Sequence, residues 1–227
     1  MAPQYYSLNP KFHVAVDCII FGFQRGELKV LLQQRPFEPN MGEWSLMGGF
    51  VQEDEDLDNA ATRVLTELTG LEGVYMRQIG TFGSVHRDAG DRVISVAYMA
   101  LLDIDKVDEK LNHQHAAHWE DIKSLPPMLF DHNIMVERAL KFLREHISTR
   151  PLGFQLLPEL FTLTQLQSLH EAILGEKLDK RNFRKRVNEM PFIEKTELID
   201  KVTSRRGAAL FRFNQKDFLR REQPFKL

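Results

Sequence analysis

The stretch that most constrains this chain runs from residue 49 to 71 and reads GFVQEDEDLDNAATRVLTELTGL. A glycine and an acidic loop lead into residues 57–68, which have a helical pattern, and Gly70 stands where a left-handed residue caps a helix. Gly49, Glu55, Arg63, Leu65, Glu67, Gly70 and Leu71 form the frame. Val64, Glu67 and Leu68 are spaced i, i+3, i+4 and therefore share one helix face. Three carboxylates on that face would bind the hard Mg²⁺ ions that bridge a pyrophosphate. One carboxylate between a valine and a leucine does not supply that charge. The stretch predicts a loop–helix scaffold without its metal chemistry: no catalytic residue, no metal ligand and no enzyme activity are assigned to it.

Apolar runs on either side mark strands. Residues 14–23 and 28–34 read as two strands joined at Arg25-Gly26, and 43–51 lead into the loop. Residues 74–85 and 92–104 read as two more, the second (VISVAYMALL) dense in β-formers. Pro126-Pro127 breaks the chain before an amphipathic helix over 133–146, with Ile134, Met135, Ala139, Phe142 and Leu143 at helical spacing. Pro151 and Gly153 mark 148–153 as a short linker. A domain over 1–150 and a smaller one over 151–227 are expected.

The smaller part has the pattern of a DNA-binding unit. Thr162 or Thr164, each followed three residues later by a Gln, can cap a helix with a buried stripe of Leu166, Leu169 and Ile173, ended by Gly175. After a short turn Asp179 can cap a second helix, KRNFRKRVNEM. At about 100° per residue, Phe183, Val187 and Met190 fall on one side and Arg181, Arg184, Lys185 and Asn188 on the other. An apolar back with an Arg/Lys/Asn front suits the major groove, where Arg reads guanine and Asn reads adenine. Two short strands, 192–201 and 208–213, flank Ser204-Arg205-Arg206-Gly207, a basic hairpin placed like the wing of a winged helix. The DNA-contacting set is Lys180, Arg181, Arg184, Lys185, Asn188, Arg205 and Arg206. The competing reading is a solvated basic helix in a protein-binding adaptor.

Charge follows the same division. The formal net charge of −2 is the sum of −7 over residues 1–150 and +5 over 151–227. Only the second part is suited to a polyanion. Cys18 is the single cysteine and sits in an apolar strand, so it reads as a small core residue in a reducing compartment. No apolar run approaches a membrane span and no signal peptide is visible, which predicts a cytoplasmic protein without a membrane partner. His113, His115 and His118 cluster, but their spacing matches no established metal site, and a structural role is expected.

The frame at 49–71 resembles the Nudix hydrolase signature G-x5-E-x7-R-E-U-x-E-E-x-G-U, with U apolar. It departs where Val64 replaces a Glu and Leu68 replaces the second of two Glu; Met47-Gly48-Gly49 departs mildly from Pro-Gly-Gly. Taken in order with HRDAGDRVISVAYMALL, LFDHNIMVERALKFLR and FTLTQLQSLHEAIL, it makes the chain similar to Nudix-related transcriptional regulators. That resemblance implies an α/β (α+β) fold, a Nudix-like α/β/α sandwich with a mixed sheet followed by a winged helix-turn-helix. It also implies a homodimer on a palindromic operator, controlled by a small molecule and without a cofactor. The likeness is greatest to the arabinose-responsive branch of the Bacteroides type, implying a repressor of sugar utilisation released by L-arabinose. The alternatives are a regulator of NAD metabolism responding to ADP-ribose and a divergent Nudix hydrolase. Loss of the metal face favours a neutral sugar over a pyrophosphate. By location in such a fold the effector cleft is expected at Gln34, Arg35, Trp44, Ser45, Glu67, His86, Arg87 and Arg92, with Arg87 and Asp88 open to being a loop ion pair. Arg63 and Glu55 read as structural, steadying the loop before the helix.

Overall fold

Two long, almost continuously apolar strands organise the first part of the molecule. The computed structural model describes residues 4–36, 38, 40–107, 117–202, 204 and 206–220. Strand β1 (His13–Gln24) runs parallel to β6 (Val93–Asp103) along its length, with His13 opposite Val93 and Phe23 opposite Asp103. On its other edge the neighbour changes. Residues 15–18 pair with β4 (Met47–Phe50) and residues 21–24 with β2 (Glu27–Gln34), both antiparallel. The β1–β2 turn is the expected Arg25-Gly26, at φ 53° and 84°, as a two-residue hairpin requires. β3 (Trp44–Ser45) and β7 (Ala117–Asp121) pair with β2, and β5 (Met76–Phe82) pairs antiparallel with β6, completing a mixed seven-stranded sheet.

The pleat sends alternate residues to opposite layers. Val16, Cys18, Ile20, Val96, Tyr98 and Ala100 pack under α1 (Leu57–Thr69), on Ala60, Ala61, Val64 and Leu65. Ile19, Phe21, Ala97, Met99 and Leu101 pack under α3 (His132–His146), on Met135, Val136, Ala139 and Leu143. The sandwich is therefore α/β/α. Gly70 closes α1 at φ 75°, as expected, and at the other end Asp56 accepts the Asn59 amide at 2.8 Å. A four-residue helix, α2 (Ile104–Val107), follows β6.

The second part is a winged helix: β8 (Phe161–Thr162), α4 (Leu163–Leu174), α5 (Lys180–Asn188), β9 (Ile193–Asp200), β10 (Ala208–Phe213) and α6 (Gln215–Arg220), with sheet order β8-β10-β9. Of the two candidate caps Thr162 is the one used, in a capping box with Gln165. Leu166, Leu169 and Ile173 are fully buried, as their spacing predicts.

Residues 148–153 carry no helix or strand and form a short connection that is packed rather than loose. Gly153, at φ 98°, is buried, and a Cβ there would lie 2.8 Å from Ile147 Cδ1. Leu156, Leu157, Leu166, Leu169 and Ile173 join the same apolar cluster as Phe21, Met99 and Leu143. Arg144 Nε, on α3, donates to the Ile173 carbonyl at 2.8 Å. At roughly 1.5–3 kcal/mol per buried aliphatic side chain, this shared core ties the winged helix to one face of the sandwich.

Other differences have local reasons. Ile134 is 59% exposed rather than part of the buried stripe of α3. β5 is shorter than residues 74–85, because its flanks are exposed loop. β7, β8 and α6 are too short to carry a period that pattern can detect. Of the histidine cluster, His113 and His115 lie outside the described residues. Among the described residues no helix is long and apolar enough to cross a membrane.

His170, on α4, is 2% exposed and meets the ring of Phe183 edge-on. Burial lowers its pKa to about 4, against a smaller opposing pull from the Leu166 and Ile147 carbonyls. From about pH 6.5 down to 4 the unfolded chain binds a proton here that the folded protein does not, so stability falls with pH by up to about 3 kcal/mol. Urea unfolding at pH 7 and pH 4.5 measures this. His170→Leu is expected to flatten the difference, and an unchanged slope would assign the acid sensitivity elsewhere.

Candidate functional site

The most strongly charged surface is the outer face of α5. Asp179 caps the helix through the Asn182 amide at 2.8 Å, while Phe183, Val187 and Met190 are buried against the domain. That burial leaves Lys180, Arg181, Arg184, Lys185 and Asn188 exposed in the arrangement the spacing predicts. None of these five forms an intramolecular ion pair among the described residues. Arg186 is also exposed and adds a flanking cation that the angular argument passed over. Five cations on a helix of Lys180–Asn188 repel one another and await an anionic partner. Arg206 is exposed on the turn between β9 and β10, whereas Arg205 lies outside the described residues.

The face of α1 that would hold metal is now apolar packing. Val64 is 2% exposed, and a Cβ on Gly49 would sit 2.8 Å from its Cγ2, so Gly49 and Val64 fit each other. Leu68 packs against the same cluster. Glu67 is exposed and ion-paired to Arg63 at 3.1 Å. Arg63 also clasps Glu55 at 2.6 and 2.9 Å and donates to the Phe50 carbonyl, holding the loop before α1 as expected. The hydrogen bonds from Arg63 are the chief reason that the Glu55 carboxyl is held down at about 2. No group of three or more potential metal-ligating side chains occurs among the described residues. These residues do not fit a Mg²⁺ pair.

The expected cleft residues divide into an outer and an inner group. Gln34 and His86 are exposed, and Arg35 is half-buried with its backbone tied to Glu43 and Gly42. Trp44 is half-buried, edge-on to His118 at 5.6 Å. Arg92 donates to the Ser84 carbonyl and lies over the Phe12 ring. Two candidates point inward instead. Ser45 is buried and its hydroxyl donates to the Leu46 carbonyl. The side chain of Arg87 is 3% exposed and pairs with Asp131 at 2.6 Å and Asp17 at 3.7 Å, not with Asp88. Neither is presented to a ligand in the cleft.

The arginine belongs to a buried polar cluster not anticipated from the sequence. Asp17 (β1) accepts the Ser95 hydroxyl (β6) and lies 3.5 Å from His132 Nε2. His132 Nδ1 accepts the Leu46 amide at 3.1 Å, which fixes the ring's proton on Nε2, facing Asp17. Burial pushes the Asp17 carboxyl up, but His132, Ser95 and Arg87 together hold it below its ordinary range. A Cβ on Gly48 would clash with Asp17 Oδ1, so glycine is required there. Phe130 adopts φ 54°, a left-handed conformation costing a non-glycine residue about 1–2 kcal/mol. Its neighbours Asp131 and His132 hold that turn in place through the cluster. A sequence signal existed: Asp17 and Ser95 are polar residues at inward positions of otherwise apolar strands.

Residues 11–145 match the NUDIX domain family and residues 153–213 match the NrtR DNA-binding winged helix domain. The ADPR responsive transcriptional repressor NtrR of Acinetobacter baylyi is 34% identical over 209 residues, covering 90% of this chain and 83% of the relative. The crystal structure of Shewanella oneidensis NrtR complexed with a 27mer DNA superposes with a TM-score of 0.80 at 31% identity, covering 88% of this chain and 93% of that one. The NUDIX domain of the same Shewanella protein complexed with ADP ribose aligns at 30% identity and a TM-score of 0.52, covering 63% of this chain and 99% of that one.

Proposed function

The chain belongs to the NUDIX domain family, in the branch that carries the NrtR DNA-binding winged helix, and from that premise we propose that it is a transcriptional repressor released from DNA by ADP-ribose. Residues 1–150 take the effector and 151–227 take the operator. The observation that carries the DNA half is the exposed basic face of α5 on a buried apolar back. The effector half is supported by relatives described as ADPR responsive or seen with ADP ribose. L-arabinose and sugar utilisation find no support in these relatives, and the ADP-ribose alternative takes their place.

Loss of the metal face does not by itself favour a neutral sugar over a pyrophosphate. Losing the metal face removes the means of activating water before it removes affinity for a diphosphate, which backbone amides and arginines can also bind. Val64 and Leu68 thus fit a protein that binds a pyrophosphate compound and does not cleave it.

A homodimer on a palindrome places two α5 helices roughly 34 Å apart, one turn of DNA. Because each winged helix shares a core with its sandwich, the effector acts by changing how two protomers meet rather than by swinging a loose domain. Differential affinity for the two dimer states is the energy source.

The test is selection of bound duplexes from a random pool by the purified protein, then titration of the best duplex with ADP-ribose, L-arabinose and other pentoses. A palindrome released by ADP-ribose alone, with no Mg²⁺-dependent turnover of ADP-ribose, is the expected result. Release by a pentose would restore the sugar reading. Turnover would restore the hydrolase, and the absence of any selected site would favour the adaptor.

A further inference from the structure

At the joint between the two parts, away from the expected effector cleft, a cavity of about 920 Å³ opens between the sheet and the winged helix. That is within the usual size of a small-molecule site. Its walls come from both parts: Tyr75 and Met99 on the sandwich side, Phe154, Phe161, Phe213 and Phe218 on the other. Phe154 and Phe213 stack face to face at 4.2 Å with 7° between their planes, giving the cavity a flat aromatic edge.

One wall residue is polar and incompletely satisfied. Asp103 ends β6 and is 5% exposed. Its Oδ1 accepts the Asp105 amide at 3.2 Å, which accounts for one oxygen as the cap of α2. Its Oδ2 accepts no hydrogen bond among the described residues. The Lys106 ammonium, 3.9 Å away and largely exposed, neutralises charge without supplying that bond. A buried acceptor without a donor is destabilising, and a ligand donor that reaches it would remove that penalty. Burial pushes the Asp103 carboxyl above its ordinary range, more than Lys106 and the Asp105 amide pull it down. Glu72 and Glu159 line the same space opposite Arg77 and Lys106, so neither net charge is favoured in a ligand.

We propose that this cavity binds a neutral, flat aromatic molecule carrying an N–H or O–H donor, the donor on Asp103 Oδ2 and the ring against the Phe154–Phe213 stack. The site is separate from the ADP-ribose reading and does not rest on it.

Benzamide is the probe, and acetophenone, which replaces its NH₂ with a methyl, is the control. Both are titrated into the full chain with methyl-labelled methionine, Met99 being the reporter in the cavity wall. Benzamide is expected to shift the Met99 methyl saturably, with acetophenone about tenfold weaker, the factor expected for one buried hydrogen bond. Asp103→Asn, which keeps the cap acceptor, should erase most of that difference. ADP-ribose should leave the benzamide titration unchanged. A Met99 signal unmoved up to the solubility of benzamide would overturn the site. Equal binding of the two probes by the parent would overturn the donor role, and that comparison needs no variant to fold. Competition by ADP-ribose would merge the cavity with the effector site and overturn its separateness.

Discussion

Replacing Arg181 and Arg184 together with alanine is expected to weaken operator binding at least a hundredfold while leaving the fold unchanged. Both side chains are exposed, on the face of α5 opposite Phe183, Val187 and Met190, so their loss opens no cavity. Each base contact by an arginine is worth about 1–3 kcal/mol, and each phosphate contact adds about one to the slope of affinity against salt. A pair of base contacts would show as lost discrimination between operator and random duplex. A pair of phosphate contacts would show as a uniform loss and a salt slope lower by about two. Fluorescence anisotropy against both duplexes at several salt concentrations separates these. Parent-like affinity in the double variant would mean that α5 is not the recognition helix.

The largest effect on stability is expected at Arg87. Arg87→Met takes from Asp131, whose side chain is 15% exposed, its 2.6 Å partner, and from Asp17 the smallest of the attractions that hold it, while His132 and Ser95 remain. Stranding a buried carboxylate in this way typically costs about 3–5 kcal/mol, a large fraction of a domain's stability. Urea unfolding followed by circular dichroism measures it. Adding Asp131→Asn to Arg87→Met should recover part of the loss, because the second change removes one stranded charge. A loss below about 1 kcal/mol would show that the cluster is no stronger than a surface pair. The cluster joins the 83–92 loop, β1, β6 and the start of α3, and the far end of α3 bonds α4 through Arg144. α3 thus has the cluster at one end and the DNA-binding part at the other, and partial variants that fold are suited to testing whether the cluster carries the signal.

What could be read from the sequence was what is coded locally. Dense apolar strands and capped helices with period 3.6 emerge where expected: Arg25-Gly26 for the hairpin, Gly70 after α1, Thr162 and Gly175 around α4, Asp179 before α5. The basic face of α5 was legible for the same reason. The effector cleft was not, because cleft residues come from elements distant in sequence and nothing local says which way a loop side chain turns. Arg87 and Ser45 turn inward for reasons found 44 residues away in Asp131 and in the strand geometry around Leu46. At 148–153 Pro and Gly mark a change of direction, and only packing shows whether such a turn is loose or buried.

The central claim is that effector and operator compete through one protein. The most direct measurement is calorimetric titration of ADP-ribose into the free protein and into its operator complex. Linkage requires that if ADP-ribose weakens DNA binding by some factor, DNA weakens ADP-ribose binding by the same factor. A tenfold or greater loss of ADP-ribose affinity in the complex, matched by an equal loss of operator affinity at saturating ADP-ribose, is the predicted result. Equal ADP-ribose affinity in both states, or no binding in either, would contradict the account.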